Sequence, residues 1–67
     1  MVTITPAQWL VLDNLKHGWA YTANLDKTLA DDAYLWAVRN EYVKDGKITD
    51  SGKIVLMKAH VESPNSI

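Results

Sequence analysis

The apolar positions near the start of the chain recur with the 3.6-residue period of an α-helix. The residues that share one face of this first helix are Val11, Leu12 and Leu15. Thr5 precedes the run, with Pro6 at the first helical position and Gln8 at the capping-box spacing. The threonine hydroxyl can therefore accept a hydrogen bond from an unpaired amide of the first turn. Because Gly18 suits a left-handed C-terminal cap, we predict a helix from about Pro6 to His17.

The middle of the chain predicts two short helices separated by a pair of acidic residues. Trp19–Tyr21 has the character of a short extended connector, and Thr22 offers an N-cap for a second helix. The apolar face of this second helix consists of Leu25, Leu29 and Ala30. Asp31 and Asp32 interrupt the pattern and can cap a third helix from about Ala33 to Lys44.

The predicted third helix carries two stripes of different character. Large apolar side chains recur at helical spacing along the main stripe, at Leu35, Val38 and Tyr42. The second stripe is small or polar, and it consists of Ala33, Ala37, Asn40 and Lys44. We therefore expect the large side chains to face the core and the second stripe to face solvent or a ligand.

The turn signal of the chain is the dipeptide Asp45-Gly46. It suits a two-residue type I′ hairpin in which Val43 and Ile48 point the same way. The alternative is that Gly46 adopts the left-handed conformation that ends the third helix. In either case only a stub of β-structure fits here, and Val2–Ile4 is the other strand candidate.

A last helix is predicted from about Asp50 to Val61, and it is apolar on nearly all sides. Thr49 can cap it, and the negative charge of Asp50 is favoured by the helix dipole. One apolar face consists of Ile54, Met57 and Val61, and the other consists of Val55, Leu56 and Ala59. Because so small a domain cannot bury both faces, we expect one of them to pack on a second copy of the chain. The alternative is a fully wrapped central helix in a monomer.

Composition limits the fold and the classes of function. Sixty-seven residues form one domain, here 1–62, followed by an expected flexible tail at 63–67. The chain has no cysteine, which excludes disulfides and thiolate metal sites. Nothing resembles a signal peptide or a membrane span, so the expected location is the cytoplasm.

The charges are unevenly distributed along the chain. The net charge is −1, which is not the footprint of a strong nucleic-acid binder. Residues 39–58, however, hold five basic and three acidic side chains, a balance of +2, whereas residues 1–38 carry −2. The second half of the chain is therefore mildly basic.

Three short motifs resemble those of the MarR-type bacterial repressors and their small relatives. They are Ile4-Thr5-Pro6-Ala7-Gln8 before the first helix, Gly46-Lys47-Ile48 after the third, and Ile48-Thr49-Asp50-Ser51-Gly52-Lys53 before the last. The resemblance implies a mostly α, minimal winged helix-turn-helix fold of three to four helices with at most a short β-hairpin wing. It also implies dimers through terminal helices. The family's wing is a longer hairpin with a basic tip, and here it is almost absent.

The resemblance implies a small bacterial or phage transcriptional regulator that binds double-stranded DNA with its third helix. Arg39 could then donate two hydrogen bonds to guanine, and Asn40 could pair with adenine. The side chains expected to hold phosphates are Lys44, Lys47 and Lys53. Asp31 and Asp32 lie where phosphates would approach, and their charge opposes such binding.

The alternative function is a protein-binding adaptor or inhibitor on the same scaffold, without DNA binding. Near-neutral charge, the acidic turn and three tryptophans favour it, since tryptophan is enriched at binding hot spots. The candidate partner or dimer surface consists of Trp9, Leu10, Trp36, Val55, Leu56 and Ala59. Trp19 is instead expected to fold back on the first helix.

No residue pattern indicates catalysis or a cofactor. His17 and His60 are far apart in the sequence and lack metal-ligand spacing, and the serines have no neighbouring base. Asp31 and Asp32 are better explained as a helix cap than as an acid/base pair or half of a cation site. We therefore expect no enzyme activity and no metal site.

Overall fold

A computed structural model describes residues 2–62 and contains three helices and four two-residue strands in that range. The elements follow the order β1 (Thr3–Ile4), α1 (Pro6–Lys16), α2 (Lys27–Arg39), β2 (Val43–Lys44), β3 (Lys47–Ile48), α3 (Asp50–Lys58) and β4 (His60–Val61). This confirms a mostly α class with a short antiparallel hairpin. The tail predicted at 63–67 lies outside the described residues.

The first helix begins and ends as predicted. The Gln8 amide donates to the Thr5 hydroxyl over 3.1 Å, and the Gln8 side chain accepts from the Thr5 amide over 2.9 Å, which completes the capping box. At the other end, Gly18 takes a left-handed backbone with φ +77°. The amides of Gly18 and Trp19 donate to the carbonyls of Leu15 and Asn14, respectively, a Schellman cap.

The two predicted middle helices are one helix, so the prediction of a boundary at Asp31 and Asp32 was wrong. Asp26, not Thr22, caps α2 and accepts hydrogen bonds from the amides of Thr28 and Leu29. Residues 21–25 form turns instead of helix. Asp31 is tolerated inside α2 because its carboxylate accepts from the Tyr21 hydroxyl over 2.6 Å, which directs it outward from the helix backbone.

The buried face of α2 is the opposite of the predicted one. Its fully or nearly fully buried residues are Ala30, Ala33 and Ala37. Leu35 and Val38, expected in the core, are 51% and 43% exposed. The alanines pack in the same clusters as Val11 and Leu12 of α1, where small side chains let the two helices approach closely. The hydrophobic pattern of the sequence alone could not reveal how close α1 lies to α2.

The β2–β3 hairpin confirms the type I′ turn. Both central residues have positive φ, +53° at Asp45 and +76° at Gly46, and Val43 pairs with Ile48. The third helix was predicted to reach Lys44, but α2 ends at Arg39 because Glu41 takes a left-handed backbone with φ +61°.

The last helix begins as predicted and ends earlier. The Thr49 hydroxyl accepts from the Gly52 amide, but the helix stops at Lys58 instead of continuing to Val61. His60–Val61 forms a strand that pairs in parallel with Thr3–Ile4, and the His60 amide donates to the Val2 carbonyl over 2.9 Å. This pairing with the distant start of the chain replaces the last helical turn.

The main core joins the first strand, all three helices and the hairpin. Its buried residues are Ile4, Leu12, Ala37, Val43, Val55 and Leu56. The prediction that Val55 and Leu56 belong to a partner or dimer surface was therefore wrong, because both side chains pack inside this chain. The other apolar face of α3, with Ile54 and Met57, is the exposed one. Within residues 2–62 no helix is long and apolar enough to cross a membrane.

Candidate nucleic-acid interface

Two lysines lie directly opposite each other on the outer face of the hairpin. Lys44 on β2 pairs with Lys47 on β3, and both are exposed. Val43 and Ile48, the neighbouring pair, point to the other face and contact the core. Side chains alternate between the faces of a strand, so the same type I′ turn that buries the apolar pair presents the two cations together on the outer face.

Neither hairpin lysine forms an ion pair within the described part of the chain. There the ion pairs join His17 to Asp13 and Lys27 to Asp31. Like charges directly opposite across two strands destabilise a hairpin. The fold therefore keeps two unpaired cations at a position where they repel each other, and an anionic partner would relieve this repulsion.

The two predicted base-reading side chains, Arg39 and Asn40, both lie exposed at the end of α2. Arg39 is the last helical residue and is exposed. Asn40 caps the helix, and its side-chain amide donates to the Trp36 carbonyl over 2.8 Å. One of the two N–H groups of the Asn40 amide is thus engaged by its own helix, and the Arg39 guanidinium has no ion pair among residues 2–62.

A groove of about 600 Å³ lies between the end of α2, the hairpin and the start of α3. Its lining includes Val38, Glu41, Val43, Lys44, Asp45, Thr49 and Ser51. Lys44 thus shares this concavity with two carboxylates. Sequence reasoning did not include Glu41 in the site, since nothing in the pattern indicated that α2 would end beside it. The turn signal did place Asp45 next to the lysines.

The remaining predicted residues are distributed over other surfaces. Lys53 is exposed on the second turn of α3. Trp9, Leu10 and Trp36 are half-buried, and Trp36 meets the Tyr42 ring edge-on with 5.2 Å between centroids. The tryptophan that extends into solvent is Trp19, which stacks on His17 instead of folding back on α1.

The acidic residues of α2 are partly neutralised. Asp31 accepts from Lys27 over 2.8 Å as well as from Tyr21, and these two hydrogen bonds hold the pKa of its carboxyl below the ordinary value. The same bonds raise the pKa values of the Tyr21 hydroxyl and the Lys27 ammonium. The repulsion of phosphates that was predicted for this acidic pair would therefore come mainly from Asp32, which has no such partner among the described residues.

The described residues contain no group of three or more His, Asp or Glu side chains that could hold a metal ion. Comparisons with family models, with curated proteins and with solved structures find no match to this chain.

Proposed function

We propose that this protein is a small DNA-binding transcriptional regulator that contacts the phosphates of double-stranded DNA with its β2–β3 hairpin. The observation that carries the proposal is the pair Lys44 and Lys47, neither of them in an ion pair, held side by side on the outer face of a type I′ hairpin. Lysines that neutralise phosphates release condensed counterions, which supplies most sequence-independent affinity.

The order of elements supports a minimal winged-helix arrangement. A helix, α2, leads directly into a two-stranded hairpin, and the exposed end of that helix carries Arg39. The outer face of α2 also carries Asp32 and the apolar Leu35 and Val38, which do not suit deep entry into a major groove. The proposed complex is thus dominated by phosphate contacts, with Arg39 as its base contact, on cytoplasmic DNA of a bacterium or phage.

The test is a titration of fluorescein-labelled duplex DNA of mixed sequence at about 50 mM and about 200 mM salt. Native protein should raise the anisotropy of the DNA, and its affinity should fall as salt increases. The double variant Lys44→Gln/Lys47→Gln should lower the slope of log K against log salt by about 2, about 1 per lysine. The matched control is Lys16→Gln, which removes an exposed lysine from the end of α1, outside the hairpin.

The same variants separate a functional cost from a structural one. Because the two lysines repel each other, Lys47→Gln should keep or raise the free energy of unfolding, by up to about 0.5 kcal/mol, while DNA affinity falls. Lower affinity with undiminished stability is the signature of a side chain kept for binding. Absence of any anisotropy change for native protein at low salt would rule out the proposal.

A protein-binding adaptor or inhibitor is the second candidate function. The specific observation in its favour is the exposure of Leu35 and Val38, one turn apart on α2. Aliphatic side chains at such spacing are typical anchors of helix-mediated recognition. If DNA leaves all amide resonances of the labelled protein unchanged at low salt, this candidate replaces the first.

A further inference from the structure

The outward surface of α3 places two exposed apolar side chains between two lysines. Ile54 and Met57 are 54% and 75% exposed, and the two lysines, Lys53 and Lys58, are also exposed. A helix turns by about 100° per residue, so Lys53 lies about 40° to one side of Met57. By the same geometry Lys58 lies about 40° beyond Ile54, on the other side of the apolar pair. These four residues, the α3 face, thus form an apolar stripe with a cation along each edge.

Neither lysine of the α3 face forms an ion pair within residues 2–62. The acidic residue beside them on the helix is Asp50, one turn before Ile54. Asp50 lies in the first turn of α3, where the helix dipole and the free amide groups favour its negative charge. Two lysines against one aspartate leave a balance of +1 around the apolar stripe. An anionic partner would complement this charge.

The exposed apolar residues of α2 have different electrostatic surroundings. Leu35 has Asp32 one turn before it and Arg39 one turn after it, so these two charges are of opposite sign. Asp31, which also precedes Leu35, is already paired with Lys27 over 2.8 Å. The α2 surface therefore has no dominant sign of charge, whereas the edges of the α3 face are both basic.

An apolar groove of about 270 Å³ borders the α3 face. Its lining consists of Val2, Ile54, Val55, Lys58 and Ala59, and Lys58 is the charged residue of this lining. Val2 is nearly half exposed, so the groove extends the exposed apolar area from α3 to the start of β1. A concave apolar site beside a helix suits an anchoring side chain that projects from a partner helix.

We propose that the α3 face binds an acidic amphipathic helix of another protein. The apolar stripe of the partner packs on Ile54 and Met57, and one of its large apolar side chains enters the groove beside Val2. Carboxylates along both edges of that stripe meet Lys53 and Lys58. Because α3 has nine residues and is about 13 Å long, the contact is small and the complex is transient.

The proposal does not rest on DNA binding, which is assigned to the hairpin. DNA presents phosphates without an apolar stripe between them, and an anionic bilayer presents no projecting side chain to the groove. Both lack one of the two features that the α3 face would recognise. This face also differs from the surface that the sequence pattern suggested, since Val55 and Leu56 belong to the core.

The first experiment selects binders from a phage-displayed library of helical peptides. Every peptide carries leucines along one face, and the positions on both edges of that face vary among glutamate, glutamine and lysine. Selection on the native protein should enrich glutamate on both edges. Selection on the double variant Lys53→Glu/Lys58→Glu should enrich lysine instead, because the charges along the α3 face are then reversed.

The second experiment measures the affinity of the enriched peptide by fluorescence anisotropy. Ile54→Glu should weaken binding by at least about tenfold, because it places a carboxylate against the apolar and acidic side chains of the peptide. Leu35→Glu is the matched control, since Leu35 is about equally exposed but lies on α2, and it should leave the affinity unchanged. Circular dichroism verifies that each variant is folded.

Three results of these experiments would overturn the proposal. They are a selection that enriches no peptide, a selection on native protein that enriches lysine, and an Ile54→Glu variant that binds the enriched peptide as tightly as native protein does. The DNA titration uses neither the peptides nor these variants, so a failure of the hairpin proposal is recorded separately.

Two further measurements test the other occupants of the α3 face. Tighter binding to vesicles of phosphatidylcholine and phosphatidylserine than to the enriched peptide, lost in Ile54→Glu, would assign the face to a lipid surface. A mass above the 7.5 kDa of one chain in sedimentation equilibrium, again lost in Ile54→Glu, would assign it to a second copy. Either result would overturn the proposal, and a monomer without vesicle binding is expected.

Discussion

The ends of α1 and α2 have the same hydrogen-bond pattern but reach it with different residues. Each closes with a Schellman cap, in which one residue takes a left-handed backbone. At α1 this residue is Gly18, whereas at α2 it is Glu41, with φ +61°. A left-handed residue other than glycine costs roughly 1–2 kcal/mol, so the end of α2 needs stabilisation from elsewhere.

That stabilisation comes from α3. The Thr49 hydroxyl donates to the Glu41 carbonyl over 2.7 Å, and the Thr49 amide donates to the Tyr42 carbonyl over 2.9 Å. Gly52 packs directly against that same Tyr42 carbonyl. The end of α1 is stabilised more locally, by the side chain of Asn14 within the helix. The comparison teaches that contacts from a later helix can take the place of a glycine at a helix end.

The largest expected effect comes from Gly52→Ala, which would separate α3 from the end of α2. A Cβ at Gly52 would overlap the Tyr42 carbonyl oxygen and lie 2.7 Å from a side-chain carbon of Ile48. We expect a loss of about 3 kcal/mol in the free energy of unfolding, measured in urea, although alanine favours helix by about 1 kcal/mol. Gly46→Ala is the control, because its Cβ meets nothing within 4 Å and only its positive φ is unfavourable. A loss no greater than that of the control would show that this close contact does not fix the end of α2.

An intermediate effect is expected from Asn14→Ala, which removes the polar support after α1. The fully buried Asn14 amide donates to the carbonyls of Tyr21 over 3.1 Å and Ala23 over 2.9 Å. Loss of both bonds should cost about 2 kcal/mol, and hydrogen exchange should accelerate in residues 19–25. Asn14→Leu retains most of the volume and should cost a similar amount. A harmless Asn14→Leu would mean that volume, not hydrogen bonding, stabilises this segment.

The smallest effects are expected from substitutions at the left-handed residues that end α1 and α2. One substitution should lower the free energy of unfolding and the other should raise it. Gly18→Ala should cost about 1 kcal/mol, because alanine must adopt the left-handed backbone in an otherwise open space. Glu41→Gly should stabilise the fold by about 0.5 kcal/mol, since the relieved strain exceeds the entropy that glycine loses on folding. Thermal unfolding of both variants shows whether each one is less or more stable than the native protein. Destabilisation by Glu41→Gly would indicate that the glutamate side chain contributes more than its backbone strain costs.

The candidate site was predictable where it depended on the turn. The Asp45-Gly46 signal fixes a two-residue loop, which places Lys44 opposite Lys47 without any knowledge of the rest of the fold. The hydrogen bond from the Asn40 side chain to the Trp36 carbonyl was not predictable. It depends on Asn40 being the C-cap of α2, and the sequence pattern had predicted that this helix continues to Lys44. The left-handed Glu41 that ends the helix has no sequence signal of its own, since glutamate rarely adopts that conformation.

The sequence by itself determined the features that depend on bonds between near neighbours. The caps at Thr5 and Thr49 and the turn at Asp45-Gly46 each involve groups within about four residues, so local chemistry suffices to predict them. Only the tertiary structure decided which face of α2 is buried and where α3 ends. The first depends on the closeness of α1 to Ala33, and the second on a strand pairing with the far end of the chain. Such contacts join residues distant in sequence, and no local periodicity encodes their geometry.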